Sequence, residues 1–213
     1  DNTGAPSYGR ESAVEVVSLL AALWAPSGGA DPGLAGTTSI SSFASGAGTS
    51  GGARWDEVGI AELRAVVGDG DYLGIGAAET AKIAGRSGYV GRFVPHHFGI
   101  ATNLPQLQTG CAAGSFSYLQ QPFGYVAGNE PVITATALSA LDTVTQNYTG
   151  SYFRLTNASL SGRSYTAAAG TLDLSGLPAT TTDPAIADAG AGVGTLTFGS
   201  GSGLAFNRTA LVT

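Results

Sequence analysis

Short runs in which apolar and polar residues alternate, closed every few residues by Gly, Asn or Pro, are what most limits the folds open to this chain. In "TLDLS" (171–175) Leu172 and Leu174 point one way and Thr171, Asp173 and Ser175 the other; "TLTF" (195–198) repeats this with Leu196 and Phe198. A period of two sets one apolar row against a core and one polar row in water, which is a half-buried strand. "FSYLQQPF", "VITATAL", "SYFRLTN" and "LAFNRT" read as four more strands, at spacings that suit a β-sandwich. The apolar run at 13–26 is ambiguous by periodicity, but its Val and Leu content and its Trp24-Ala25-Pro26 ending predict a strand that proline stops. Within the Gly/Ser-rich stretch that follows, a short strand is expected at 37–43.

Composition explains why the turns can be so frequent. The chain has 33 Gly and is 43% hydrophobic but only 11% charged, so it can bury a core while Ser, Thr, Asn and Gly build its surface. Disorder requires low hydrophobicity with high net charge, and collagen requires a three-residue Gly period; neither holds. A net charge of −6 with only nine Lys and Arg, scattered along the chain, argues against nucleic acid and anionic membrane surfaces as partners. The longest apolar run contains Glu15 and falls short of the roughly 20 residues a spanning helix needs, so no membrane-spanning segment is expected. With neither a signal-peptide pattern nor a Met, the chain reads as mature or cut from something longer. The single cysteine, Cys111, excludes an internal disulfide and reads as a buried free thiol or as the partner of a cysteine outside this chain. Sequons at Asn147, Asn157 and Asn207 read as surface-turn markers.

The stretch at 55–71 is open to two readings. Ile60, Leu63 and Val67 share a helical face, yet Gly59 would cost such a helix about 1 kcal/mol, and the "GDGD" at 68–71 signals a reversal between two strands. Asp69 and Asp71 are the best candidates for a Ca2+ site, but two carboxylates are too few alone, and a solvated hairpin tip is the expectation.

Other motifs fail on context. "GAGTSG" (46–51) matches a dinucleotide fingerprint without the strand before it or the helix after it. "GTSGG" would make Ser50 a hydrolase nucleophile served by His96 or His97, but the flexible setting suits a loop better than a strained elbow. Adjacent strand residues face opposite ways, so His96 and His97 are expected to start a strand, one inward and one outward, rather than to hold one metal ion. The loose carboxylate pairs Asp56–Glu57 and Asp183–Asp188 suggest no specific site. Tyr118, Tyr125, Tyr148 and Tyr152 are candidate aromatic anchors, though packing with a wet hydroxyl is the commoner fate of Tyr in sandwiches.

Taken in order, "APSYGRE", "WDEVGIAELRA", "DYLG", "YVGRFVPHHFGI", "CAAGSFSYLQQPF" and "VTQNYTGSYFRL" resemble the DUF6701 region of MshQ-like proteins associated with MSHA-type pilus biogenesis. Ser7 and Tyr8 depart from the Asn-Phe of that pattern, and the region's other cysteines are absent. The resemblance implies extracellular Ig-like β modules in a large bacterial surface or pilus-associated protein, carries over no catalytic residues, and tips 55–67 towards strand.

The expectation is therefore an all-β chain of tandem Ig-like β-sandwich modules. The first spans 1–90, with an N-terminal arm and a Gly/Ser-rich loop, and the second spans 91–213. It is expected to act outside the cell by adhesion or assembly, without catalytic, cofactor or metal-binding residues. Other pilus or surface-protein domains, surface glycans, and host or abiotic surfaces are its expected partners. The alternatives are a self-assembling filament or surface-layer subunit, and a serine hydrolase built on Ser50.

Overall fold

The apolar run at 13–26 becomes β1 (Val17–Ala25), which stops one residue before Pro26. The structure is a computed structural model that describes residues 5–109, 116–162, 164–177, 179, 182–199 and 203–207; Cys111 lies outside them. Within the Gly/Ser-rich stretch three two-residue strands form: β2 (Ala35–Gly36), β3 (Ser39–Ile40) and β4 (Ala53–Arg54). The ambiguous stretch is a strand, β5 (Gly59–Val67), and β6 (Ala84–Phe93) follows it. Four of these form an antiparallel sheet in the order β3-β1-β5-β6, while β2 pairs with β4 alone.

Register explains why strand defeats helix here. Ala61, Leu63, Ala65 and Val67 of β5 lie opposite Leu23, Ala21, Leu19 and Val17 of β1, which gathers the apolar side chains of two distant segments on one face. A local helix could not have made that pairing. Gly59 marks the entry to the strand at φ +144, where a Cβ would collide with the Ala25 carbonyl and with Leu23. Glycine is required at that close approach.

Between β5 and β6 the chain does reverse, but not as a tight hairpin at 68–71. Residues 68–83 hold a 3-10 turn (Tyr72–Gly74) and a one-turn helix, α1 (Ala77–Thr80). Local hydrogen bonds prolong the turn: Asp71 N–H donates to Asp69 Oδ1 at 3.0 Å, Gly76 N–H to Asp71 Oδ1 at 2.8 Å, and Tyr72 N–H to Thr80 Oγ1 at 2.9 Å.

The remaining strands are β7 (His97–Thr102), β8 (Val132–Leu138), β9 (Leu172–Gly176), β10 (Ala185–Gly190), β11 (Val193–Thr197) and β12 (Gly203–Phe206). They form a sheet in the order β10-β11-β8-β7 and a separate β12-β9 ladder. Every strand pairing with a described register is antiparallel, so the chain is all-β. "TLTF" behaves as its alternation predicts, with Leu196 buried between half-buried Thr195 and Thr197. "TLDLS" does so only in part: Leu174 is exposed, because among the described residues β9 has β12 as its sole strand neighbour.

Two expected strands are absent. "SYFRLTN" carries 3-10 turns at Gly150–Tyr152 and Asn157–Ser159, the second closed by a reciprocal Thr156–Ser159 capping box. "FSYLQQPF" is a turn in which Gln121 N–H donates to the Tyr118 carbonyl, and only Phe123 enters a bridge, with Leu204. In "SYFRLTN" short-range side-chain and turn bonds outcompete a ladder, whereas in "FSYLQQPF" the turn leaves only the N–H groups of Gln120 and Phe123 to reach the Phe206 and Leu204 carbonyls of β12.

The chain forms two compact units, Asp1–His97 with Leu138–Tyr148, and Phe98–Ala137 with Thr149–Thr213. In the first, a buried polar clamp ties three distant segments together. Glu57 accepts hydrogen bonds from the N–H groups of Val58 (2.7 Å), Asn147 (3.1 Å) and Gln146 (2.9 Å). Asn147 is 3% exposed; its Oδ1 accepts from Ala30 N–H at 2.7 Å, and its Nδ2 donates to the carbonyls of Ala30 (2.9 Å) and Val58 (3.0 Å). Every polar atom of this amide is matched, so Asn147 is not the surface-turn marker that its sequon suggested. Asn147→Ala strands three backbone groups at once, and we expect urea unfolding to show a loss on the order of 2–4 kcal/mol. A loss under about 1 kcal/mol would mean that the clamp is incidental to stability.

Candidate functional site

The open face of the β3-β1-β5-β6 sheet brings together an aromatic pair and an ion cluster. Antiparallel register places Ala22, Glu62 and Tyr89 in one row across β1, β5 and β6, and Leu20, Arg64 and Arg86 in the next. A bulge beyond Leu23 turns Trp24 so that its ring stacks on Tyr89, with centroids 4.4 Å apart and planes inclined at 27°. Small Ala22 and the narrow strand spacing let the two rings meet above the sheet. Trp24 is 56% exposed and Tyr89 62%, far more than aromatic side chains engaged in a core.

Beside the rings, Glu62 receives Arg86 Nη1 on both carboxylate oxygens (3.1 and 3.3 Å) and Arg64 Nε at 3.3 Å. Partial burial works to raise Glu62, but the hydrogen bonds and charges of Arg86 and Arg64 outweigh it and hold the carboxyl below its ordinary range. Two guanidinium groups and one carboxylate leave a single positive charge on this cluster. Leu20, also exposed, closes its far end.

The residues singled out by motif lie elsewhere and do other things. Ser50 sits in the loop between β3 and β4 and donates its hydroxyl to the Thr37 carbonyl at 2.6 Å. "GAGTSG" occupies the same loop and leads into β4, not into a helix. His97 begins β7 as expected, but His96 lies in a bend before it, so the rings meet instead of facing apart: their Nδ1 atoms are 3.1 Å apart. His97 Nε2 is 3.0 Å from Asp142 Oδ1. Among the described residues no three His, Cys, Asp or Glu side chains are grouped to hold a metal ion; Asp69 and Asp71 instead accept backbone N–H groups within their turn.

Asp183 and Asp188 also act as backbone fasteners. Asp183 is buried and accepts Gly199 N–H. Asp188 accepts Gly150 N–H (2.6 Å), Thr149 Oγ1 (2.7 Å) and Gly190 N–H (2.9 Å). Burial works to raise it, but these bonds prevail and hold it below the usual carboxylate range.

Of the four tyrosines proposed as anchors, Tyr148 and Tyr152 are buried, Tyr125 is half-buried, and only Tyr118 is well exposed. Two clefts among the described residues lie apart from this face. One, of about 400 Å3, is lined by Tyr8, Arg10, Glu11 and Tyr72, where Tyr72 donates to Glu11 Oε1 at 2.9 Å. The other, of about 560 Å3, is mainly apolar and bordered by Asn103, Val132, Leu160, Tyr165 and Phe198. Motif reading misses Tyr89, Glu62, Arg64 and Arg86, and reaches Trp24 only as the end of a strand; nothing local links that tryptophan to a tyrosine 65 positions away.

Comparison with known proteins returns one family: a model described as DUF6701, third domain, matches residues 57–212. No curated protein and no solved structure matches the chain.

Two predictions follow from these contacts. A carboxylate can only accept, so neutral His97 gives its Nε2–H to Asp142 and its Nδ1 accepts from His96. Long-range 15N–1H NMR at alkaline pH should find His96 as the Nδ1–H tautomer and His97 as Nε2–H; two Nε2–H rings would contradict the contact. A carboxyl with a depressed folded pKa stabilises above its unfolded value, 3.8 for Asp188, and that stability is lost as pH falls through the folded pKa. Calorimetry of Asp188→Asn should therefore show a lowered Tm at pH 7 and a deficit that shrinks towards pH 2; an equal deficit at both would show that the charge is not what matters.

Proposed function

Because the chain belongs to the DUF6701 family, we propose that it is a structural and adhesion module of a bacterial cell-surface or MSHA-type pilus-associated protein, working outside the cell by contact and not by catalysis. The single observation that carries this reading is the open sheet face with Trp24 stacked on Tyr89 beside Glu62, Arg64 and Arg86. Exposed aromatic and arginine side chains are the residue types that dominate recognition surfaces. A sparse-charge, Gly-rich exterior joined by turns supports display outside cells, and the two four-stranded antiparallel sheets support modules of the Ig-like kind.

A second reading has its own support. β6 is a ten-residue strand at the outer edge of its sheet, and eight of its residues are exposed. A long open edge is a template for a neighbour's strand, as a filament or surface-layer subunit would need.

A surface-binding screen of the whole chain against glycans, host-cell material and abiotic supports should give retention. Uniformly blank results together with concentration-dependent light scattering would favour the filament. The non-catalytic reading further expects no labelling of Ser50 by a serine-reactive fluorophosphonate; labelling that vanishes in Ser50→Ala would overturn it.

A further inference from the structure

We infer that the Trp24–Tyr89 face is a saccharide site selective for a pyranose that bears a carboxylate. The inference rests on the adhesion reading above and names its ligand. The geometry has three parts. The stacked rings each keep more than half their surface open, and the apolar C–H face of a sugar ring packs on such a surface, gaining hydrophobic contact and attraction to the ring's negative face. Arg64 uses its Nε on Glu62, and its terminal nitrogens donate to no described residue, so its fork can engage a carboxylate in two parallel bonds. Glu62, ionised between two arginines, can accept from sugar hydroxyls while it steadies both guanidinium groups.

Charge chooses among occupants. The Glu62, Arg64 and Arg86 cluster carries one net positive charge within a chain of −6, which suits one carboxylate and disfavours a polyanion such as nucleic acid. Its length, from Leu20 to Trp24, is about 13 Å at strand rise, enough for a few sugar rings rather than one. Because Trp24 and Tyr89 belong to strands and not loops, the platform is formed before the ligand arrives.

The test is a titration of the whole chain by calorimetry and saturation-transfer NMR with 3′-sialyllactose, with a glucuronate-containing disaccharide, and with lactose as the neutral control. The two acidic probes distinguish a sialic from a uronic source. We expect at least one acidic sugar to bind about tenfold more tightly than lactose. Tyr89→Ala and Trp24→Ala should each weaken it about tenfold, and Arg64→Gln should remove the preference over lactose. Far-UV circular dichroism verifies that each variant keeps its sheets, and Arg64→Gln, a surface change, provides the arm least exposed to misfolding.

Equal binding of lactose overturns the inference, as does acidic-sugar binding that neither aromatic variant alters. No sugar binding, with surface retention intact in the screen above, overturns the inference but leaves the adhesion reading standing. No sugar binding and no retention on any surface overturns both.

Discussion

The first unit depends on the capture of Gln146 and Asn147 by Glu57. A buried carboxylate with three N–H donors and a buried amide with every polar atom matched together replace the water that these groups lose. This lets a segment beyond β8 belong to the same unit as β1 and β5. It also holds Val58, one of the most completely buried side chains, and the Gly59 crossing at the start of β5. Once β5 is placed, its partners β1 and β6 take their register, and with them the positions of Trp24, Glu62, Arg64, Arg86 and Tyr89.

That dependence links stability to recognition. The face that presents the aromatic pair gains nothing from a core on its outer side, and its order comes from the ladder beneath it. Backbone pairing along β1, β5 and β6 sets the spacing between rows, the bulge beyond Leu23 turns Trp24 towards Tyr89, and Glu62 locks two arginines in place. Polar fastening recurs in the second unit, where Asp183 and Asp188 close turns by accepting backbone N–H groups. In a chain with few charges, carboxylates serve repeatedly as anchors for irregular backbone, and only a few side chains remain for contact with partners.

The strands were legible where one segment contained its own signal. Residues 13–26 and "VITATAL" formed strands because their β-branched and apolar content suits a ladder from either side. "SYFRLTN" and "FSYLQQPF" have similar content, but turns form within both, and the second keeps only two backbone bonds to β12. "GDGD" announced a reversal correctly, yet gave no hint that Thr80 and Gly76 would extend it into a helical turn. Asn147 departs from its sequon for a related reason: a sequon records three adjacent residue types and nothing about which distant carbonyls the amide will meet.

By itself the sequence determined the class of structure, since alternation at a period of two and abundant glycine leave antiparallel sheet as the means of satisfying the backbone. It also carried the family, through an ordered series of local motifs. Only the tertiary structure decided which residues work together. Trp24 with Tyr89, Glu62 with Arg86, His97 with Asp142 and Glu57 with Asn147 are neighbours through strand register and loop docking. Those are long-range choices, made by the total burial and hydrogen bonding of the whole unit, and no short stretch of sequence encodes them.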